Sequence, residues 1–290
     1  MKECIIGLVL CTLLGACTKP ISQFRTLSTD FSAPATIEFK NLSTGADSYI
    51  WKVDSEVISD SSNLNHIFLG SGRHTIELIS TAGSKQSVSS QDIFIEAPSE
   101  CLVYMQTSLG PLLFSLSDKT PRHRDNFIEL VASTYYDGIK FHRVIDGFMI
   151  QAGDSKTNVA SQKISHKKEI AEEINTGLMH YKGALAAARM PDDINPERAS
   201  SGTQFYIVDG QKLTAEAIEK QSYSKLFDYT EEQKSRYIQE GGAPQLDGEY
   251  TVFGHLIDGY DTLEAISNAA TDSRDNPIEP IKIIKATNIN

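Results

Sequence analysis

An arginine and a glutamine interrupt a stretch otherwise made for burial: Phe141-His142-Arg143-Val144-Ile145-Asp146-Gly147-Phe148-Met149-Ile150-Gln151. Asp146-Gly147 between two apolar runs is a hairpin signal. Within such a hairpin Arg143 has two uses. It snorkels or pairs with a carboxylate such as Asp154, or it offers a fixed cationic donor beside an apolar surface, with Gln151 as a second polar group. Read from these residues, both uses stand. Other chemistries find less support. No Gly-x-Ser-x-Gly or His-Glu-x-x-His constellation occurs, and no Cys/His spacing suits zinc, so neither metal nor cofactor is expected.

The remaining chain must position that hairpin. Its 290 residues suffice for one large or two modest domains, and 40% apolar with 22% charged residues is ordinary globular composition. A net charge of −11 repels a phosphate backbone, which argues against a nucleic-acid partner. The apolar run from Ile5 to Leu14 is too short to cross a bilayer core of about 30 Å as a helix and reads as an export signal. It ends in Leu14-Gly15-Ala16-Cys17, which resembles a bacterial lipoprotein lipobox. The resemblance implies that residues 1–17 are a signal with its lipidated cysteine, and that Cys17 ties the mature protein to a membrane of the cell envelope, facing the periplasm. Cys4 and Cys11 would leave with the signal and Cys101 would remain as a thiol, so no internal disulfide is expected.

Residues 18–30 are polar and read as a tether. From 31 to 97 the chain alternates in short runs, Ile37/Phe39, Tyr49/Trp51/Val53, Ile76/Leu78 and Ile93/Ile95, which predicts a small antiparallel sandwich. Phe39-Lys40-Asn41-Leu42-Ser43, Tyr49-Ile50-Trp51 and His66-Ile67-Phe68 before Gly72 resemble a PKD-type, immunoglobulin-like domain, with Trp51 in its core. Residues 98–290 form the second domain. Cys101 to Ser115 predicts two strands joined at Ser108-Leu109-Gly110-Pro111. Thr120-Pro121 opens a helix carrying Phe127, Leu130 and Val131. Asp261 with Glu264 resembles a capping box that opens another helix, and Ile281/Ile283 predicts a closing strand.

This second domain resembles the cyclophilins, prolyl isomerases, from Cys101 to Asn290. The likeness rests on the hairpin and on Pro121 with Asn126-Phe127, Gly183-Ala184-Leu185-Ala186-Ala187-Ala188-Arg189, Thr203-Gln204-Phe205-Tyr206-Ile207, and Leu246-Asp247-Gly248 before Val252-Phe253-Gly254. It implies a mainly β fold, a closed antiparallel β-barrel with capping helices, preceded here by the sandwich. It implies cis/trans isomerisation of X-Pro bonds in exported polypeptides, with Arg143 as the catalytic arginine and Gln151 orienting it and the substrate backbone. Phe148, Met149, Tyr206 and Leu246 fall on the apolar proline pocket, Tyr206 where phenylalanine is usual. Ala188, Arg189 and Gln204 fall on the groove for residues preceding proline, and Tyr250 replaces a common histidine. Gln245 stands where many members carry tryptophan, so weak cyclosporin binding is expected. The seven histidines have no step in this scheme.

The reaction so implied constrains the hairpin. A two-residue loop at Asp146-Gly147 would set Arg143 against Ile150 and send Gln151 to the other face. A three-residue connection, Asp146-Gly147-Phe148, sets Ile145 against Met149 and Arg143 against Gln151, and is the expected one. Residues 211–244 form an insertion in which Thr230 and Gln233 predict a capped helix ended by Gly241-Gly242. A shorter one runs from 190 to 201. The competing reading is a proline-peptide-binding chaperone or adhesion module that has the pocket without turnover.

Overall fold

Strict alternation of buried and exposed residues in Ala35–Asn41 leaves each face of that strand a single kind of neighbour, and a second sheet covers the apolar one. The computed structural model describes residues 19–225 and 227–289, and its contacts divide the chain into Met1–Ala97 and Pro98–Asn290. The first unit holds β1 (Phe24–Thr26), β2 (Ala35–Asn41), β3 (Ser48–Val53), β4 (Glu56–Ser59), β5 (Leu64–Phe68), β6 (Gly72–Ala82) and β7 (Lys85–Ile95). They make two antiparallel sheets, β1-β2-β5 and β4-β3-β6-β7. Trp51 is fully buried between them, edge-on to Phe24 with centroids 5.2 Å apart, and its indole N–H donates to the Ser61 carbonyl.

The expected tether at 18–30 is corrected. Ile21 bridges to Thr44, β1 pairs with β2, and the Phe24 ring packs on Trp51. Backbone pairing and one aromatic side chain on an alternating stretch hold it against the sandwich. Cys17 and the signal lie outside the described residues. Among those described, no helix is long and apolar enough to cross a membrane.

The second unit runs β8 (Leu102–Thr107), β9 (Gly110–Leu116), α1 (Pro121–Ala132), β10 (Arg143–Ile145), β11 (Met149–Ala152), β12 (Glu169–Ile170), β13 (Ala184–Arg189), β14 (Ser200–Val208), α2 (Ala215–Lys225), α3 (Glu231–Gln239), β15 (Val252–Asp258), α4 (Tyr260–Ser267) and β16 (Ile283–Ile289). The strands form one antiparallel sheet in the order β10-β11-β14-β13-β15-β9-β8-β16, with β12 beside β14. The expected closed barrel is corrected: the sheet curls but its path is open, ending on β10 and β16. Among the described residues the gap is crossed by the isolated bridge Lys140–Lys282, by the Phe141, Gly138 and Val144 N–H groups, which donate to the carbonyls of Ile281, Ile283 and Asp275, and by the Ile283 N–H, which donates to the Ile139 carbonyl. Pro277 and Pro280 stand in the stretch before β16; they lack the N–H that a continuous ladder requires.

The principal core lies under α1, where Phe127 meets Phe205 and Phe253 with centroids 5.4 and 5.3 Å away. Thr120 stands at the N-cap of α1 as expected, but its side chain does not cap. The Glu173 carboxylate does so instead, accepting from the backbone N–H of Arg122 at 3.2 Å and of His123 at 3.0 Å. The helix expected from Asp261 begins at Tyr260 after Gly259, whose φ of 96° only glycine adopts readily, and no capping box forms. The insertion holds two helices. α3 carries the Thr230/Gln233 capping box, while α2 has no such mark in the sequence.

Burial pushes the His123 and His255 imidazoles below the usual 6.5, against the pull of Glu173 on His123. Glu173 is raised by burial, but the His123 ring and the two backbone donors outweigh this and hold it below 4.5. Both kinds of shift act in the same direction. An unfolded chain takes up protons that the folded chain refuses, so these groups stabilise the fold at neutral pH and lose that contribution on acidification. Hydrogen-exchange protection of the α1 amides should therefore be constant above about pH 7.5, fall as pH drops below about 6.5, and fall further below about 4.5. Protection that rises on acidification would contradict this reading.

Candidate active site

The β10–β11 connection is the three-residue one. Arg143 pairs with Gln151, Val144 with Ile150 and Ile145 with Met149. The turn closes through the Phe148 N–H to the Ile145 carbonyl at 3.0 Å, with Gly147 at φ 66°. Asp209, at the end of β14, anchors it. The Asp209 carboxylate accepts from the Gly147 N–H at 2.9 Å and from the Ser267 hydroxyl at 2.8 Å, and Lys182 Nζ lies 3.3 Å away. The Asp209 and Gly210 N–H groups donate to the Phe148 carbonyl. The far side of the hairpin pairs with β14, which sets Gln151 beside Tyr206.

A cavity of about 420 Å³ opens on this face, lined by Arg143, Phe148, Met149, Gln151, Ala188, Arg189, Tyr206, Leu246 and Tyr250, together with His142 and Pro191. Every residue assigned to this cavity by resemblance is thus gathered at one place except Gln204; Cys17 lies outside the described residues. Gln204 lies one step along, in a second depression shared with Gln151, Ala188 and Arg189, and its Oε1 accepts from Gln151 Nε2 at 3.1 Å. The apolar walls are backed by a separate small core of Met149, Ala184, Ala186, Tyr206, Val208, Ala243 and Val252.

Arg143 does not pair with Asp154. Its Nε donates to Asp275 Oδ2 at 3.3 Å, the side chains being 46% and 42% exposed. Among the described residues its terminal amino groups have no protein partner, which leaves two donors at the cavity. Asp275 holds a left-handed φ of 63° inside a turn organised by Asp272, whose carboxylate accepts from the Arg274 and Asn276 N–H groups. The sequence carries no signal for this pairing beyond the turn-forming cluster Asp272-Ser273-Arg274-Asp275-Asn276-Pro277.

Arg189 is otherwise engaged. Its guanidinium sits 4.7 Å over the Tyr250 ring, donates to the Glu249 and Met190 carbonyls and pairs with Asp192, so it braces the wall at Tyr250. A bulge between Ala187 and Arg189 in β13 turns Ala188 toward both depressions. His142 is lowered by burial and further by Arg143, against Asp154, and is neutral at pH 7. Burial raises the Tyr206 phenol well above 10, reinforced by Tyr250 and Asp247, so it too is neutral. Among the described residues no three His, Cys, Asp or Glu side chains converge as a metal ion would require. The arrangement offers a cationic donor, an amide pair and an apolar recess.

The family model for cyclophilin-type peptidyl-prolyl cis-trans isomerases matches residues 102–288. Relatives from Staphylococcus saprophyticus and Staphylococcus aureus, named as peptidyl-prolyl cis-trans isomerases, are each 33% identical over 187 residues, covering 63% of this chain and 89% of theirs. Among solved structures, a cyclophilin-type isomerase of Cryptosporidium parvum matches with a TM-score of 0.49 at 28% identity, covering 66% of this chain and 98% of that chain. A second structure of it, determined in the presence of the dipeptide Ala-Pro, gives 0.48 at 28% identity, with 65% and 99% coverage. The matched span takes in the hairpin, the cavity and the sheet that carries both, and the chain belongs to the family of cyclophilin-type peptidyl-prolyl cis-trans isomerases.

Proposed function

We propose that Arg143 is the catalytic group of this isomerase, that Gln151 with Gln204 holds the substrate backbone, and that Phe148, Met149, Tyr206 and Leu246 take the proline ring. Ala188 and Arg189 border the residues before proline, and Tyr250 closes the wall. The observation that carries this assignment is the cross-strand pair of Arg143 and Gln151 at the edge of an apolar cavity, with the Arg143 terminal amino groups unpaired among the described residues.

Rotation about X-Pro meets a barrier of about 18–20 kcal/mol that comes from amide resonance. At the top of that barrier the resonance is lost, the proline nitrogen is pyramidal and its lone pair is free. A guanidinium donor aimed at that nitrogen stabilises the twisted state more than the planar one. Raising the rate from roughly 0.01 to roughly 1000 per second requires about 7 kcal/mol. A preorganised charged donor supplies about 3–4 kcal/mol of it. A recess that grips the ring and excludes water supplies the remainder, because the twisted amide is less polar than the planar one.

The substrates in this reading are proline-containing segments of exported polypeptides, and the enzyme works at a bacterial cell envelope, held by lipid on Cys17 and facing the periplasm. The apolar run ending in Leu14-Gly15-Ala16-Cys17 supports this placement. The amino-terminal unit is a PKD-like, immunoglobulin-like sandwich in the same reading, supported by its two antiparallel sheets and the Trp51 core. Cyclosporin binds weakly, since exposed Gln245 beside Leu246 offers neither the area nor the N–H of an indole.

Arg143→Ala should lower kcat/KM for a short proline peptide at least about a hundredfold, the scale of losing one preorganised donor, with circular dichroism unchanged. Near-normal turnover in a protease-coupled assay would reject Arg143 as the donor. Gln245→Trp should strengthen cyclosporin inhibition about tenfold or more, the worth of a well-packed aromatic contact, with turnover little changed; equal inhibition of the two proteins would count against the placing of Gln245. In cell fractionation, Cys17→Ser should move the protein from the membrane to the soluble fraction, and unchanged membrane association would overturn the lipid anchor.

A further inference from the structure

Tyr206 and Leu246, two walls of the recess, come from different parts of the chain and are joined behind it by one buried carboxylate. Asp247 Oδ1 accepts from the His180 backbone N–H at 2.9 Å and meets His180 Nδ1 at 2.8 Å. Oδ2 accepts from the hydroxyls of Tyr229 at 2.9 Å and Tyr237 at 2.5 Å. On its other side His180 Nε2 meets the Tyr206 hydroxyl at 2.9 Å, with the two rings stacked at 11°. The side chains of His180 and Asp247 are each 1% exposed.

Tyr229 and Tyr237 belong to the insertion, yet none of the described residues of 211–244 lines the cavity. They pack with Met179, Tyr181 and Ile218 in a satellite core of their own. Lys225, the last residue of α2, donates to the Asp247 carbonyl at 2.8 Å. A buried carboxylate needs donors, and two of the four that meet the Asp247 carboxylate are supplied by the insertion. In the tautomer that carries its proton on Nδ1, facing the carboxylate, His180 leaves Nε2 to accept the Tyr206 O–H. The polar end of Tyr206 then points inward, and the ring presents carbon to the recess.

We infer that His180 and Asp247 are positioning residues of the isomerase site, and that the 211–244 insertion sets the shape of the proline recess from behind by holding Asp247. This rests on the reading of the cavity as the proline site. Each link is a hydrogen bond of short, fixed geometry between buried groups, so loosening one end loosens the Tyr206 ring at the other.

The test is the Tyr229→Phe/Tyr237→Phe double variant in the full chain, which changes no residue that lines the recess. Steady-state kinetics on an Ala-Pro peptide are measured well below the melting temperature of each protein. KM should rise about tenfold with kcat held within about twofold, the pattern of lost ground-state and transition-state binding together. Adding Tyr206→Phe should cost less in the double variant than in the wild type, because both act on the same chain of bonds. Should the double variant fail to fold, Tyr229→Phe is expected to raise KM about threefold in the same manner. A lower melting temperature with unchanged KM would make the insertion merely a stabilising element and overturn the inference. Wild-type protein that binds the peptide without turning it over would overturn the isomerase reading and this inference with it, whereas an active wild type with indifferent variants overturns this inference by itself.

Discussion

Successive side chains on a strand face opposite ways, so one residue more or fewer between β10 and β11 decides whether Arg143 and Gln151 share a surface. The site depends on that count. The observed register sets them opposite each other, and the surroundings act to keep it. Asp209 receives the Gly147 N–H, while the Asp209 and Gly210 N–H groups grip the Phe148 carbonyl. Any slip would break these bonds and bury unpaired polar groups. β10 is also an end strand of an open sheet. Beyond it the Val144 N–H meets the Asp275 carbonyl and the Asp275 carboxylate meets Arg143 Nε, so one residue fixes both the backbone and the side chain of the edge. That ion pair is half-exposed and screened by solvent. It aims the guanidinium and leaves its outer donors free.

A donor accounts for roughly half of the barrier reduction the reaction needs, and the rest requires a surface that holds a ring and sheds water. The fold supplies that surface with two cores in place of one. The main core under α1 keeps the sheet curled, and the smaller one behind Met149 and Tyr206 forms the back of the recess. The insertion adds a third cluster behind Leu246 and Asp247. Apart from Arg143, polar side chains at the site have protein partners: the Tyr206 hydroxyl meets His180, the Arg189 guanidinium carbonyls and Asp192, and Gln151 meets Gln204.

Much of this was legible in the sequence because short-range rules govern it. The alternation in β2 and β6, the Asp146-Gly147 turn, the Thr120-Pro121 helix start and the Thr230/Gln233 capping box all act within a few residues. What escaped depends on contacts between distant segments. Asp275 lies far along the chain from Arg143, and no local pattern ties them. Glu173 replaces the Thr120 hydroxyl as the cap of α1, which only the folded sheet could bring about. The barrel was expected to close, but Pro277 and Pro280 leave the last gap without a ladder. His180 carries no local mark of its place, because it lies behind the recess rather than in it. Phe24 stands in a polar stretch that resembles a tether, although the two-residue alternation continues through it into the sandwich.

The central claim is that this recess turns over its ligand as well as binding it. Exchange spectroscopy by NMR on an Ala-Pro peptide at equilibrium, with the protein at a small fraction of the peptide concentration, measures this without a coupling protease. Catalysis by Arg143 should speed the cis-to-trans and trans-to-cis rates by the same factor and leave the equilibrium populations unchanged, with Arg143→Ala lowering the acceleration at least about a hundredfold while the binding shifts persist. Peptide signals that shift on binding while their exchange rates stay at the uncatalysed value would contradict the account.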